Sequence, residues 1–126
     1  MKTEWNKSWK GSKQPRKQRK YIYNIPLHLA RKLMSSHLAK DLIKKYGKRN
    51  VPVRKGDLIK IMVGQFKGKT GKIDKVDAKH RKVYVEGIYT IKRDGTKMPY
   101  PIHPSNLLII SLEASDKVRR KVLERK

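Results

Sequence analysis

The stretch that decides the fold is residues 53–76, which read VRKGDLIKIMVGQFKGKTGKIDKV. Ile59, Ile61 and Val63 stand at every second position, and this period of two predicts a half-buried β-strand. Ile73 marks the start of a second strand after a glycine-rich loop. Residues 53–76 are therefore predicted to form a basic β-hairpin.

The loop of this hairpin contains three glycines, which are Gly64, Gly68 and Gly71. Glycine lets the backbone adopt positive φ or approach another backbone closely. Phe66, Lys67 and Lys69 lie between these glycines, and exposed amides beside cations suit contact with a sugar–phosphate backbone. The alternative is an ordinary glycine-rich turn with solvated lysines, and Phe66 is either a plug for the core or a stacking platform.

The chain is predicted to continue as β-structure beyond the hairpin. The spacing of three between Ile73 and Val76 breaks strict alternation and predicts a β-bulge. Val83 and Val85 mark a third strand after a turn at 77–80. The hairpin is thus expected to be part of a larger antiparallel sheet.

Two further strands are predicted, at 88–92 and at 107–110. The first ends at Asp94-Gly95, a pair that favours a tight turn, and the second is expected to be buried on both faces. Three prolines between 99 and 104 allow only an extended edge segment. Five short strands bury a small core, so a closed or nearly closed barrel, which removes exposed edges, is the economical arrangement.

Short helices are predicted on both sides of the β-structure. Leucines recur at helical spacing over 26–46, and Gly47 suits the residue after a helix end. The serine pair at 35–36 is predicted to be an N-cap that divides this stretch into two helices. Their polar face, which includes Lys32, contacts either solvent or phosphate. Ser115 is predicted to cap a C-terminal helix with an apolar pair at 118 and 122.

The net charge is the strongest compositional signal. The 126 residues include 34 Lys and Arg against 10 Asp and Glu, giving +24. Self-repulsion of that size destabilises a compact chain, and nucleic acid is the densest polyanion that could offset it. No apolar run is long enough to span a membrane, no signal peptide is expected, and the absence of Cys excludes disulfides and thiolate metal sites. These features predict a soluble, intracellular protein that binds a polyanion.

Residues 1–20 contain no Val, Ile or Leu, so they cannot bury enough apolar surface to offset the entropy of ordering. We therefore expect a basic extension that is disordered when free. Trp5 and Trp9 are exceptional in it, and they either pack on the folded domain or stack on RNA bases. The extension also supplies cations for phosphate, which are Arg16, Lys17, Arg19 and Lys20.

The hairpin closely resembles the KOW motif of a family of SH3-like barrels. The residues that fill the motif are Gly56-Asp57, Ile59, Ile61, Gly64, Lys67-Gly68, Gly71, Ile73 and Val76. The flanking stretches 25–36, 44–47 and 102–106 resemble the archaeal and eukaryotic branch of the universal KOW-containing ribosomal protein of the large subunit. This resemblance runs from about residue 21 to the C-terminus, and residues 1–20 depart from it.

The resemblance implies a mainly β fold, namely a small SH3-like (KOW) β-barrel with short N-terminal helices, a short C-terminal helix and a basic N-terminal extension. The corresponding segments are 1–24 for the extension, 25–50 for the helical segment, 51–112 for the barrel and 113–126 for the C-terminal helix. It implies a cytoplasmic, ribosomal protein that binds the 5′ region of 23S-type rRNA during assembly and lies near the nascent-chain exit. Large-subunit rRNA and neighbouring ribosomal proteins are the expected partners, with no membrane, no homo-oligomer and no cofactor.

By position in the motif, eight residues inherit the RNA-facing role: Lys55, Lys60, Phe66, Lys67, Gly68, Lys69, Lys72 and Lys75. His103 and Asn106 fall in a family motif and are interpreted first as turn-forming residues. An RNA contact from His103 is the second interpretation.

Three other functions are weighed against this one. The four histidines have no metal-like spacing, and no Ser–His or paired-carboxylate signature indicates a hydrolase. A transcription elongation factor is expected to carry a polymerase-binding domain, and residues 1–50 show no α/β pattern for one. A DNA packager would bind DNA as well as structured RNA, whereas a ribosomal protein should prefer RNA.

Overall fold

The computed structural model describes residues 5–6 and 11–125, in which most of the strands follow one another between short N-terminal helices and a short C-terminal helix. The four helices are α1 (Pro15–Asn24), α2 (Leu27–Leu33), α3 (Lys40–Tyr46) and α4 (Lys117–Glu124). The eight strands are β1 (Ser35–Leu38), β2 (Asn50–Pro52), β3 (Leu58–Ile61), β4 (Thr70–Asp77), β5 (Lys82–Val85), β6 (Tyr89–Ile91), β7 (Lys97–Pro99) and β8 (Leu107–Ser111). No described helix is both long enough and apolar enough to cross a membrane.

Six strands form one mixed sheet in the order β2-β1-β8-β3-β4-β5. All neighbours are antiparallel except β1 and β8, which run parallel. The predicted hairpin is confirmed as β3 and β4, with Ile59 opposite Gly71, and the predicted bulge lies between Ile73 and Lys75. Among the described residues no pairing joins the end strands β2 and β5, so the sheet-rich fold is confirmed while barrel closure is not.

The core lies on one face of this sheet. Alternation along β3, β4 and β8 directs their buried side chains to the same side, where strands β1, β2 and β5 add theirs. Burying each large aliphatic side chain contributes roughly 1.5–3 kcal/mol. The aliphatic residues with the least exposure are Leu38, Ile59, Ile61, Ile73, Val83, Leu107, Ile109 and Leu123.

The serine pair at 35–36 lies in strand β1 and not at a helix N-cap, so the predicted cap is wrong, although two separate helices, α2 and α3, do flank it. Ser36 is buried, and its hydroxyl donates to the carbonyl oxygen of Pro104 at 2.6 Å. Strand β1 is held by β2 and by the distant β8. Pairing with a strand far along the chain therefore overrides the local capping preference of serine.

Val63 and Ile110, which were both predicted to be buried in strands, are exposed. Val63 is 59% exposed, because the sheet strand ends at Ile61 and the Met62 amide donates instead to the Asn106 carbonyl at 2.8 Å. Ile110 is 37% exposed, so β8 is not buried on both faces. Strand β8 has core on one side only, and its side chains alternate accordingly.

Strands β6 and β7 form a separate two-stranded ribbon and not a part of the main sheet. The predicted tight turn is present, because the amide of Gly95 donates to the carbonyl of Lys92 at 3.0 Å and its φ is +80°. All six ribbon residues are exposed. Of the predicted strand at 88–92 only Ile88 is buried in the core, so the prediction that this strand belongs to the barrel is not confirmed.

Helix α4 begins one residue later than predicted and presents a different face. Asp116, not Ser115, is the N-cap, and its carboxylate accepts a hydrogen bond from the Val118 amide at 2.8 Å. The buried positions are Arg119 and Leu123, whereas Val118 and Val122 are exposed. The predicted apolar pair thus lies on the solvent side of the helix, and the prediction that it packs inward is wrong.

A buried ion pair explains that orientation of α4. Asp57 is 0% exposed and Arg119 is 4% exposed. The guanidinium binds the carboxylate through two contacts, Nη1 to Oδ1 at 2.5 Å and Nη2 to Oδ2 at 2.7 Å. The amides of Arg54 and Glu113 also donate to the carboxylate, at 2.9 and 3.0 Å. The carbonyls of Glu113 and Pro52 accept from the guanidinium, so the pair joins α4 to the turn before β3.

Arg119→Met is expected to lower the free energy of unfolding by about 3–5 kcal/mol, because it leaves the Asp57 carboxylate buried without its counter-charge. The measurement is chemical denaturation followed by circular dichroism.

Arg120→Met, at the neighbouring exposed position of α4, is the matched control and should change stability by less than about 0.5 kcal/mol. Equal losses in the two variants would show that the ion pair does not hold the fold.

Candidate nucleic-acid interface

The loop between β3 and β4 is shaped by its glycines. Gly68 has φ of +87°, a conformation that other residues rarely adopt, and its amide donates to the Ile61 carbonyl at 2.8 Å. A side chain on Gly71 would lie 2.8 Å from Val85 Cγ1 and 2.9 Å from the Glu86 carbonyl. Gly71 therefore allows β4 to approach β5, while Gly68 closes the loop.

Phe66 is half-buried at the edge of the core. Its ring meets the Tyr100 ring edge-on, with the centroids 5.0 Å apart. The Lys69 ammonium lies 5.3 Å from the Phe66 centroid, which is within cation–π range. Phe66 therefore anchors the loop to the core. This position is closer to the predicted plug for the core than to the alternative, a stacking platform.

The hairpin lysines lie on the outer face of the sheet and around the loop. Lys60 is opposite Thr70, and Lys72 is opposite Leu58, so both lysines point away from the buried Ile59 and Ile73 side. The two lysines of the loop, Lys67 and Lys69, are exposed as well. Together these side chains form one outer surface of positive charge, which we call the hairpin surface (Lys60, Lys67, Lys69 and Lys72).

Two other predicted residues, Lys55 and Lys75, lie beside a broad groove of about 880 Å³. Lys55 is in an ion pair with Asp74, with Nζ and Oδ1 3.2 Å apart. Two arginines, Arg31 and Arg54, also line the groove. Arg54 is bound to the Asp116 carboxylate, and this bond holds the pKa of Asp116 below its usual value. The groove therefore carries more positive than negative charge.

A second basic cluster joins the extension to the sheet. Helix α1 contributes Arg16, Arg19 and Lys20, and the turn before β5 contributes Arg81, around a groove of about 510 Å³. None of the described residues that line this groove is acidic. Arg81 has φ of +55°, a conformation that costs free energy in a residue with a side chain and is often found where function requires it. Lys17, also on α1, is exposed outside this groove.

Sequence reasoning missed Arg81, because an arginine within a basic turn carries no distinguishing pattern. The turn is ordered by Asp77, whose carboxylate accepts from the His80 amide at 3.1 Å and contacts the His80 ring at 2.7 Å. The hydrogen bond to the His80 side chain, the largest cause, lowers the pKa of Asp77. This rigid turn fixes where Arg81 is presented.

The tryptophans of the extension were predicted to pack on the domain or to stack on RNA. Trp5 is half-buried, with its ring centroid 5.1 Å from that of Tyr21 on α1. Its Nε1 is buried and has no hydrogen-bond acceptor among the described residues. Trp9 lies outside the described residues.

Lys32 is exposed on α2.

His103 caps the 3₁₀ turn of residues 104–106, so the interpretation as a turn-forming residue agrees with its position. The Ser105 amide donates to His103 Nδ1 at 3.3 Å, and the Ser105 hydroxyl lies 2.8 Å from the same nitrogen. Partial burial, with the nearby charges of Lys82 and Arg81, lowers the pKa of His103. These surroundings therefore favour the neutral imidazole.

No group of three His, Asp or Glu side chains able to hold a metal ion occurs in the part of the chain that the structure describes. What the described residues do bring together is a glycine-shaped loop, outward lysines and two basic grooves. These features define a protein that binds a polyanion through its surface.

A family model for the ribosomal proteins called L26 in eukaryotes and L24 in archaea matches residues 12–126, so the chain belongs to that family. It is a structural protein of the large ribosomal subunit and not an enzyme. It binds rRNA, has ribosomal proteins as partners and is located on the cytoplasmic ribosome. The family resemblance predicted from the sequence is confirmed.

The pKa of His103 in the free protein should lie below its usual value of about 6.5. The unfolded chain then binds the proton more readily than the folded protein does. The contribution of His103 to the free energy of unfolding should therefore be fully present above about pH 6.5 and should decrease as the pH drops below that value. Lys82→Gln removes one cause and should raise the midpoint of the His103 ring resonances in an NMR titration. Lys79→Gln, in the same turn, should leave it unchanged, and a midpoint above 6.5 would contradict the assigned environment.

Proposed function

We propose that this protein binds the 5′ region of large-subunit (23S-type) rRNA during assembly and lies near the nascent-chain exit, with the hairpin surface against the RNA. The observation that carries this proposal is the unbalanced charge of that surface. Within the described residues none of its four lysines is in an ion pair, whereas Lys55 nearby is paired with Asp74. Phosphates would supply the missing negative charge.

The shape of the hairpin suits a nucleic-acid backbone. Gly68 removes side-chain bulk at the loop, and Lys67 and Lys69 flank it, so a sugar–phosphate chain can approach the backbone closely. Lys60 and Lys72 extend the positive charge along the outer sheet face. Phosphate contacts of this kind position a protein on RNA and are largely independent of sequence.

The proposed contacts extend to the extension and to the grooves. In addition to the hairpin surface, the proposed RNA-binding residues are Trp5, Trp9, Arg16, Lys17, Arg19, Lys20, Lys32, Lys55, Phe66, Gly68, Lys75 and His103. Arg81 joins this set, since four like charges surround a groove whose described lining residues include no acid, and these charges repel each other until an anion enters.

We also propose that residues 1–24 are disordered when free and order on RNA. Helix α1 has no buried residue and only ten residues, and isolated helices of that length are marginal in water. Circular dichroism should show added helical signal when the chain binds RNA. An unchanged spectrum would contradict this part of the proposal.

The remaining segments are proposed as a helical segment at 25–50, an SH3-like barrel with a curved sheet at 51–112 and a C-terminal helix at 113–126. Two register shifts, in β3–β8 and β4–β5, support curvature, as does a single core that reaches from β2 to β5. The chain is proposed not to form homo-oligomers, because two copies of charge +24 repel each other.

Replacing Lys67 and Lys69 together by Ala should reduce the salt dependence of binding. Each lost phosphate contact lowers the slope of log K against log salt by about 0.7–0.9, so the pair should lower it by roughly 1.4–1.8. The measurement is binding of a transcript of the 5′ domain of 23S-type rRNA between 50 and 200 mM salt.

The double variant Lys117→Ala and Lys121→Ala, with the same charge change on exposed positions of α4, is the control. Its slope should stay closer to that of the unaltered protein. Equal slopes for all three proteins would show that the hairpin does not contact the RNA, and equal competition by duplex DNA would show that RNA is not the preferred ligand.

A further inference from the structure

A small cavity of about 200 Å³ lies between the hairpin loop and residues 100–106. Phe66 and Tyr100 form an aromatic wall, and Ile61 and Ile102 supply apolar surface. The polar lining includes Asn106 and His103, with Lys82 beside them. An apolar pocket with a few convergent polar groups is the usual form of a ligand site.

The walls of this cavity are fixed before any ligand enters. The backbone of Asn106 accepts from the Met62 amide at 2.8 Å, which ties the 3₁₀ turn to the start of the loop. Ile102 and Val83 exchange two backbone hydrogen bonds, at 2.8 and 2.9 Å. The edge-on contact of Phe66 with Tyr100 completes the frame. A preorganised site loses little entropy on binding.

The chemistry of the lining fits a flat heterocycle that carries a phosphate. The side-chain amides of Gln65 and Asn106 each offer a donor and an acceptor, as base edges require. Aromatic side chains provide the surface on which bases stack. The part of the chain that the structure describes places no acidic residue in the lining of this cavity, and Lys82 together with the adjacent Arg81 provides positive charge for a phosphate.

We propose that this cavity receives one unstacked base of single-stranded rRNA, with the Asn106 amide on the base edge and Lys82 on the attached phosphate. The proposal rests on the proposed RNA-binding function and makes it specific, because the hairpin surface contacts only phosphates. The volume is below the ~300–1,000 Å³ of sites for larger small molecules, which favours a single base.

The test compares two single-stranded ribonucleotide hexamers of equal charge, one of uridines and one abasic. NMR spectra of the full chain are recorded during titration with each. The uridine hexamer should shift the Asn106 side-chain amide, the His103 ring and the Phe66 ring, whereas the abasic hexamer should shift the lysines of the hairpin surface only. Equal shifts at the cavity from both hexamers would overturn the proposal.

Asn106→Ala should weaken binding of the uridine hexamer by about tenfold and leave binding of the abasic hexamer unchanged. Its backbone hydrogen bonds are retained, so the turn should persist. Asn50→Ala, an exposed asparagine on edge strand β2, is the matched control and should affect neither hexamer.

The two proposals fail in different ways. If both hexamers and the rRNA transcript bind but the cavity residues do not respond, the base site is wrong and the phosphate-binding function stands. If the unaltered protein binds neither hexamer nor the transcript, both proposals are wrong. Shifts at the cavity on adding a peptide of a neighbouring ribosomal protein, with none from uridines, would assign the cavity to a protein side chain and overturn the base site.

Discussion

The ion pair between Asp57 and Arg119 is the interaction on which the arrangement of the hairpin depends. Asp57 stands immediately before β3, and Arg119 lies in α4, 62 positions later. The carboxylate also accepts from the amides of Arg54 and Glu113, and the Nη atoms of the guanidinium donate to the carbonyls of Pro52 and Glu113, while Arg119 Nε is buried without a partner among the described residues. Because a buried charge is tolerated only with such partners, the start of the hairpin and the last helix are held together.

Electrostatics then determine how the rest of the chain is arranged. The interior contains aliphatic side chains and one neutralised ion pair, so nearly all of the +24 charge is displayed at the surface. The few acidic groups are used locally, as in the Lys55–Asp74 pair and the Asp116 cap of α4. The hairpin surface is left without counter-charges among the described residues, which makes assembly with RNA the state in which repulsion is relieved.

The sequence predicted the parts of the fold that depend on local patterns. Alternating isoleucines and spaced glycines are sufficient to locate β3, the loop and β4. Two of the failures involve distant partners: β1 exists because it pairs with β8, and Arg119 faces inward because Asp57 is there. For the site, the outward lysines could be inferred from the same alternation. Arg81 could not, since its position depends on a turn and on the approach of α1.

Lysine footprinting shows whether the hairpin surface contacts rRNA in the assembled large subunit. Purified large subunits and the free protein are treated with an amine-acetylating reagent, and the modification of each lysine is quantified by mass spectrometry. The expected result is that Lys60, Lys67, Lys69 and Lys72 react readily in the free protein and are protected in the subunit until the RNA is digested. Equal reactivity of these lysines in the free protein and in the intact subunit would contradict it.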